Sequence, residues 1–149
     1  AADMEVRASS TATTGAYSSA CQRGLPAILM ERGGGGRFTD SEVQAYKQDV
    51  KNIMIRMGLL SGEEVHTVQQ KNVTRAEYLE AETDGLWYPV FSAGDTFAGG
   101  AVLGTVRDIW GNLLREYRAD YPGIILYQTV GLGVKTGDPL IAYGEYVDR

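Results

Sequence analysis

The spacing of apolar residues changes once along the chain, following helices and a buried strand up to about residue 60 and short strands from residue 73 onward. In the first part, Met4-Glu5-Val6-Arg7 fits either a short strand or the end of a helix. Thr13 to Arg23 carries Ala16, Tyr17, Ala20 and Cys21 at helical spacing, with Gly24 where a C-cap glycine belongs. Pro26-Ala27-Ile28-Leu29-Met30 is an unbroken apolar run of the kind that forms parallel strands covered on both faces. After the glycine run Gly33 to Gly36, Thr39-Asp40-Ser41-Glu42 reads as a capping box. The helix it opens lines Val43, Tyr46, Val50, Ile53, Met54 and Met57 along one stripe before Gly58 ends it. Helix, buried strand, glycine loop and helix predict an α/β fragment of a doubly wound sheet over residues 1–60.

Residues 61–72 are polar and predict a linker. Over residues 73–149 the β-like runs are Tyr78 to Ala81, Leu86 to Phe91, Ala101 to Val106, Leu113 to Tyr117, Gly123 to Tyr127 and Pro139 to Tyr143. Glycine-containing turns separate them, which predicts a small antiparallel, barrel-like β domain. Ala93-Gly94-Asp95-Thr96-Phe97 and Thr136-Gly137-Asp138-Pro139-Leu140 each place a Gly-Asp turn before an apolar strand. They are candidates for equivalent turns of one pseudo-symmetric module.

Composition narrows the partners more than the fold. The 149 residues, 44% apolar and 22% charged, suit one domain or two small ones. A net charge of −5 offers nothing to a nucleic-acid backbone, and no basic run is present to dock an anionic membrane. The single cysteine cannot form an internal disulfide, which fits a reducing compartment. With no membrane-spanning window and no signal peptide ahead of the first residues, a cytoplasmic protein is the default expectation. The opening Ala1-Ala2-Asp3-Met4 leads straight into structured sequence, suggesting that the chain begins inside a larger protein.

The candidate chemistry centres on Glu31. It closes the predicted buried strand, and ligand sites of open α/β sheets lie outside the carboxyl ends of strands. A carboxylate there is placed for general base work, and the glycines beyond it admit a close approach of backbone or substrate. The alternative is a loop glutamate paired with Arg32 or Arg37. Arg37 could clamp a substrate carboxylate, and Arg32 is read as a solvent-exposed loop charge. His66, the only histidine, sits in the polar stretch and is read as solvated. Cys21 lies on the apolar side of its helix and is read as a buried structural thiol. One His, one Cys and no HxxE or HxH spacing leave no complete zinc site in the chain. The aromatics Trp87, Tyr88, Trp110, Tyr117, Tyr121 and Tyr127 are read as core and edge residues.

The stretch Gly24-Leu25-Pro26-Ala27-Ile28-Leu29-Met30-Glu31-Arg32-Gly33-Gly34-Gly35-Gly36 resembles the glutamate segment of the succinylglutamate desuccinylase/aspartoacylase family, relatives of the zinc carboxypeptidases. Gly85 to Gly144 resembles that family's C-terminal β domain, a biotinyl/lipoyl-type module, so the resemblance covers most of the chain from Ala12 onward. The resemblance implies a fragment of a zinc-carboxypeptidase-like domain over residues 1–60, followed by that β module over residues 73–149. It implies that Glu31 serves as general acid/base for a water activated by zinc, cleaving the amide bond of a small N-acyl substrate such as an N-acyl amino acid. The family's HxxE and later histidine ligands have no match here, so zinc is expected only in a full-length protein, and this chain alone is expected to be inactive.

The competing reading is a non-catalytic β-rich module for binding or assembly. A lipoyl-type carrier would display a lysine at a hairpin tip, but Lys135 precedes the Thr136-Gly137-Asp138 turn without flanking methionines. Whether the β domain covers an active site or mediates homo-oligomer contacts stays open at this level.

Overall fold

The structure, a computed structural model, describes Met4, residues 6–8 and residues 14–148. Glu5 of the first predicted element, Thr13 of the predicted first helix and Ala12 lie outside the described residues. The chain divides into two compact units, the first ending at Gln70 and the second beginning at Lys71. No helix among the described residues is long and apolar enough to cross a membrane.

The first unit contains strand β1 (Val6–Ala8), helix α1 (Ala16–Gln22) and helix α2 (Asp40–Arg56). Helix α1 buries only Ser18, and Cys21 is exposed, its Sγ reaching Ala27 O at 3.5 Å. The expectation of a buried thiol is therefore corrected. A seven-residue helix covers too little surface to enclose its apolar side. Helix α2 opens with the expected capping box: Glu42 N–H donates to Thr39 Oγ1 at 3.2 Å, and Thr39 N–H donates to Glu42 Oε2 at 2.7 Å. It closes in a Schellman motif, with Leu59 N–H on Met54 O at 2.8 Å and Gly58 N–H on Ile55 O at 2.9 Å.

The inward face of α2 differs from the apolar stripe. Val50 and Met57 are exposed, while Asp49 and Asn52 are fully buried. Asn52 donates to Val65 O at 2.7 Å and accepts from Val65 N–H at 3.0 Å, so its amide acts as a strand partner. This two-way pairing ties the polar stretch after α2 to the helix and satisfies a buried side chain that would otherwise be costly. Arg56 continues the tie, with Nε on Glu64 Oε1 at 2.8 Å, and Glu64 Oε2 lies 3.1 Å from His66 Nε2. His66 is thus hydrogen-bonded to Glu64, not simply solvated.

Residues 25–30 carry no strand ladder, and Leu25, Ile28 and Leu29 are about 60% exposed. The expected buried parallel strand is corrected on this point. A covered strand needs neighbours on both edges and both faces, and the described residues of this unit supply none of its ladder partners.

The second unit holds β2 (Lys71–Glu80), β3 (Gly85–Pro89), β4 (Thr96–Phe97), β5 (Val102–Arg107), β6 (Leu113–Arg118), β7 (Gly123–Gln128), β8 (Gly133–Val134) and β9 (Pro139–Asp148). Within the unit they form two antiparallel sheets, ordered β2-β9-β7-β4 and β6-β5-β3-β8. No ladder among the described residues closes them into a barrel, so the barrel-like expectation is corrected to a pair of sheets. The short β4 and β8, two residues each, stop the ladders at the sheet edges. Between the inner faces lie Trp87, Leu103, Val106, Tyr117, Ile125, Leu140, Ile141 and Tyr143.

Two of the core rings are also held by their polar ends. Tyr117 Oη accepts from Glu82 N–H at 2.8 Å, and Tyr143 Oη accepts from Asp120 N–H at 3.2 Å. Trp110, read as a core or edge aromatic, stands instead 82% exposed at the tip between β5 and β6.

The two Gly-Asp turns are equivalent bond for bond. Asp95 Oδ2 accepts from Ser92 N–H, and Asp138 Oδ2 accepts from Lys135 N–H, both at 2.8 Å. Gly94 N–H donates to Ile125 O at 2.9 Å and Ile125 N–H returns to Asp95 O at 2.9 Å. Gly137 and Asp138 make the same exchange with Ala81, at 2.8 Å each way. The repeated sequence signal thus marks a repeated local structure.

The β5–β6 turn is organised by Asp108, whose carboxylate accepts from Trp110 N–H at 2.8 Å, Asn112 N–H at 2.9 Å and Asn112 Nδ2 at 2.8 Å. The Asn112 side-chain bond, followed by the backbone donors, holds the Asp108 pKa below its ordinary 3.8. A depressed carboxylate pKa stabilises the fold above the ordinary aspartate range. That contribution disappears as pH falls through the lower folded value. Urea unfolding of wild type and Asp108→Asn should therefore differ at neutral pH, and the difference should shrink as pH falls below the ordinary aspartate range through the lower folded value. A gap that stays constant with pH would contradict this assignment.

Candidate active site around Glu31

The segment carrying Glu31 runs against helix α2 in the opposite sense. Tyr46 Oη donates to Met30 O at 3.4 Å. Nearer the helix start, Gly33 has a φ of 71°, in the left-handed region that favours glycine, and lies beside the Glu42 side chain. Arg32 reaches back along the helix, its guanidinium 5.8 Å from the Tyr46 ring centroid, to Asp49. Both Nε and Nη2 of Arg32 donate to Asp49 Oδ2, at 3.2 and 2.7 Å. The Asp49 side chain is 0% exposed and that of Arg32 21%. Arg32 is therefore no loop charge, and the sequence reading is corrected. A buried carboxylate without its cation costs about 3–5 kcal/mol, which explains why this arginine lies down on the helix.

Glu31 is exposed and has no hydrogen-bond partner among the described residues. Beyond it the chain turns back on itself. Arg37 N–H donates to Gly34 O at 3.2 Å across Gly35 and Gly36, whose φ values of 62° and 68° suit a type I′ turn. Two consecutive left-handed residues explain the glycines without invoking a ligand. Arg37, on the far side of this turn, is exposed.

The structure thus sets Glu31 and Arg37 on one exposed loop, with Glu31's neighbours fixed to α2. His66 and Cys21 do not join them as a metal site. Among the described residues no three His, Cys, Asp or Glu side chains converge as a metal could require. Sequence reasoning missed Asp49 and the polar role of Tyr46. The available signal was an aspartate three residues after Tyr46, interrupting a face otherwise read as apolar.

No family model and no curated protein matches the sequence. Solved structures do match the fold. The apo ectoine utilization protein EutE (DoeB) from Ruegeria pomeroyi aligns with a TM-score of 0.84 at 24% identity, over 96% of this chain and 47% of that one. A succinylglutamate desuccinylase from Silicibacter sp. TM1040 aligns with a TM-score of 0.81 at 23% identity, over 98% and 46%. A succinylglutamatedesuccinylase/aspartoacylase from Rhodobacter sphaeroides aligns with a TM-score of 0.76 at 23% identity, over 88% and 43%. The fold is that of succinylglutamate desuccinylase/aspartoacylase family proteins. The chain spans about half the length of the structures it matches, consistent with a C-terminal portion of that fold.

Proposed function

We propose that these residues are the C-terminal portion of a deacylase that hydrolyses the amide bond of a small N-acyl substrate, an N-acyl amino acid or similar compound. The observation that carries this reading is Glu31: a carboxylate exposed at the end of an apolar segment, with the residues on either side of it pinned to a helix. In the proposed reaction Glu31 accepts a proton from the attacking water and returns it to the leaving nitrogen, giving a carboxylic acid and an amine. Arg37, on the same loop, is proposed to pair with a carboxylate of the substrate.

Zinc belongs to this proposal only as a group held by residues outside these 149. The described residues do not fit it, because no trio of suitable ligands forms among them. The chain alone is accordingly proposed to be inactive.

The test is hydrolysis of a panel of N-acetyl and N-succinyl amino acids by the full gene product, before and after dialysis against a chelator. Turnover by the full product that the chelator abolishes, with none from the 149-residue chain, is expected. Absence of turnover across the panel, or robust turnover by the 149-residue chain alone, would contradict the proposal.

A further inference from the structure

We infer that Asp49 and Arg32 form a positioning strut for Glu31, so that the pair sets the turnover rate without touching substrate. The inference rests on the proposed deacylase reading of Glu31 and extends it to two residues with no assigned role. Two contacts from α2 bracket the Glu31 backbone: Tyr46 Oη on Met30 O and the Arg32 fork on Asp49 Oδ2. Tyr46 and Asp49 are three residues apart and share one helix face. They therefore hold positions 30 and 32, on either side of Glu31 in the chain.

Burial separates the strut from Glu31. On one side the strut is buried, with Asp49 fully enclosed and Arg32 mostly so. On the other, Glu31 is exposed and unpartnered among the described residues. Its backbone is thus fixed through its neighbours while its carboxylate stays available. A general base acts only when held within hydrogen-bond reach of the proton it abstracts, and a misplacement of about 1 Å costs on the order of a hundredfold in rate. Arginine suits this task better than lysine. Its planar fork meets one carboxylate with two N–H groups and lies over the Tyr46 ring, which an ammonium would do with less directional definition.

The test uses the full gene product in four forms: wild type, Asp49→Asn, Arg32→Lys and Glu31→Gln. Steady-state kinetics on the N-acyl amino acid that wild type hydrolyses fastest are combined with the ¹⁵N order parameter of the Glu31 amide and a thermal melt. Asp49→Asn should lower kcat about tenfold to a hundredfold with little change in KM. The Glu31 order parameter should fall from about 0.85 toward 0.6. Arg32→Lys keeps the charge and is the milder variant, so it serves if Asp49→Asn does not fold. It should show the same split to a smaller degree.

A merely structural strut would lower the melting temperature and leave the folded fraction with wild-type kcat. That result, or a Glu31 amide equally rigid in both folded variants, would overturn the inference. Glu31→Gln separates the layers. If it is inactive while Asp49→Asn and Arg32→Lys turn over normally, the strut fails and the deacylase reading stands. If Glu31→Gln is fully active, the reading of Glu31 itself fails.

Discussion

Glu31→Gln in the full gene product should lower kcat for amide hydrolysis by about 10²–10⁴-fold, the range that a positioned acid/base contributes. The substitution keeps the shape of the side chain and removes only its capacity to take and return a proton. KM should change little, because the proposed ground-state contact to substrate comes from Arg37 and not from Glu31. Stability should also hold within about 0.5 kcal/mol, since Glu31 is exposed and no described residue bonds to it. Kinetics and a thermal melt on the same preparation check both halves. A Glu31→Gln protein with wild-type kcat would remove the residue from the reaction.

The largest effect on stability should come from Trp87, at the centre of the second unit. Its ring is 2% exposed and meets Tyr117 edge-on, with centroids 5.7 Å apart and planes at 80°. Trp87→Ala should cost about 3–5 kcal/mol, combining lost transfer energy with a cavity that rigid sheets cannot collapse. Against a typical domain stability of about 5–15 kcal/mol, that leaves the unit close to unfolding. The same ring makes Gly104 obligatory, since an added Cβ would overlap the indole. Gly104→Ala alone should therefore destabilise, whereas in the Trp87→Ala background its methyl enters vacated space. Urea denaturation of the two single variants and the double variant should give a double variant more stable than the sum of the single costs implies. Simple additivity would mean that Gly104 and the indole are not in contact.

These expectations draw unequally on what was legible in the sequence. The α2 capping box, its terminal glycine and the short β-runs are local signals, and the structure carries them out: Thr39 and Glu42 cap each other, and Gly58 ends the helix. The twin Gly-Asp turns were readable because the same three-residue chemistry recurs, and their hydrogen bonds repeat. The readings that changed were those depending on neighbours distant in sequence. The apolar run ending at Met30 has strand character, but whether it is covered depends on strands beside it. Here Ile28 and Leu29 stand open. The stripe on α2 was drawn by apolarity, and the buried positions went to Asp49 and Asn52 because each finds a partner far along the chain, at Arg32 and Val65. Burial of a polar group follows from its partner, which spacing within one helix does not reveal.

The candidate site was legible in one residue and obscured in its support. Glu31 is visible as an acid after an apolar run and before glycines. Its positioning depends on Arg32 turning back onto the helix, which the flanking glycines alone do not indicate. The glycine run itself has an internal explanation in the Gly35-Gly36 turn and the Gly33 approach to Glu42.

The most direct test of the account is a crystal structure of the full gene product with a non-hydrolysable tetrahedral analogue of the N-acyl substrate. A Glu31 carboxylate oxygen within about 2.6–3.2 Å of the analogue oxygen that mimics the attacking water is the expected result. A Glu31 side chain turned away from the bound analogue, with another residue at that oxygen, would contradict the account.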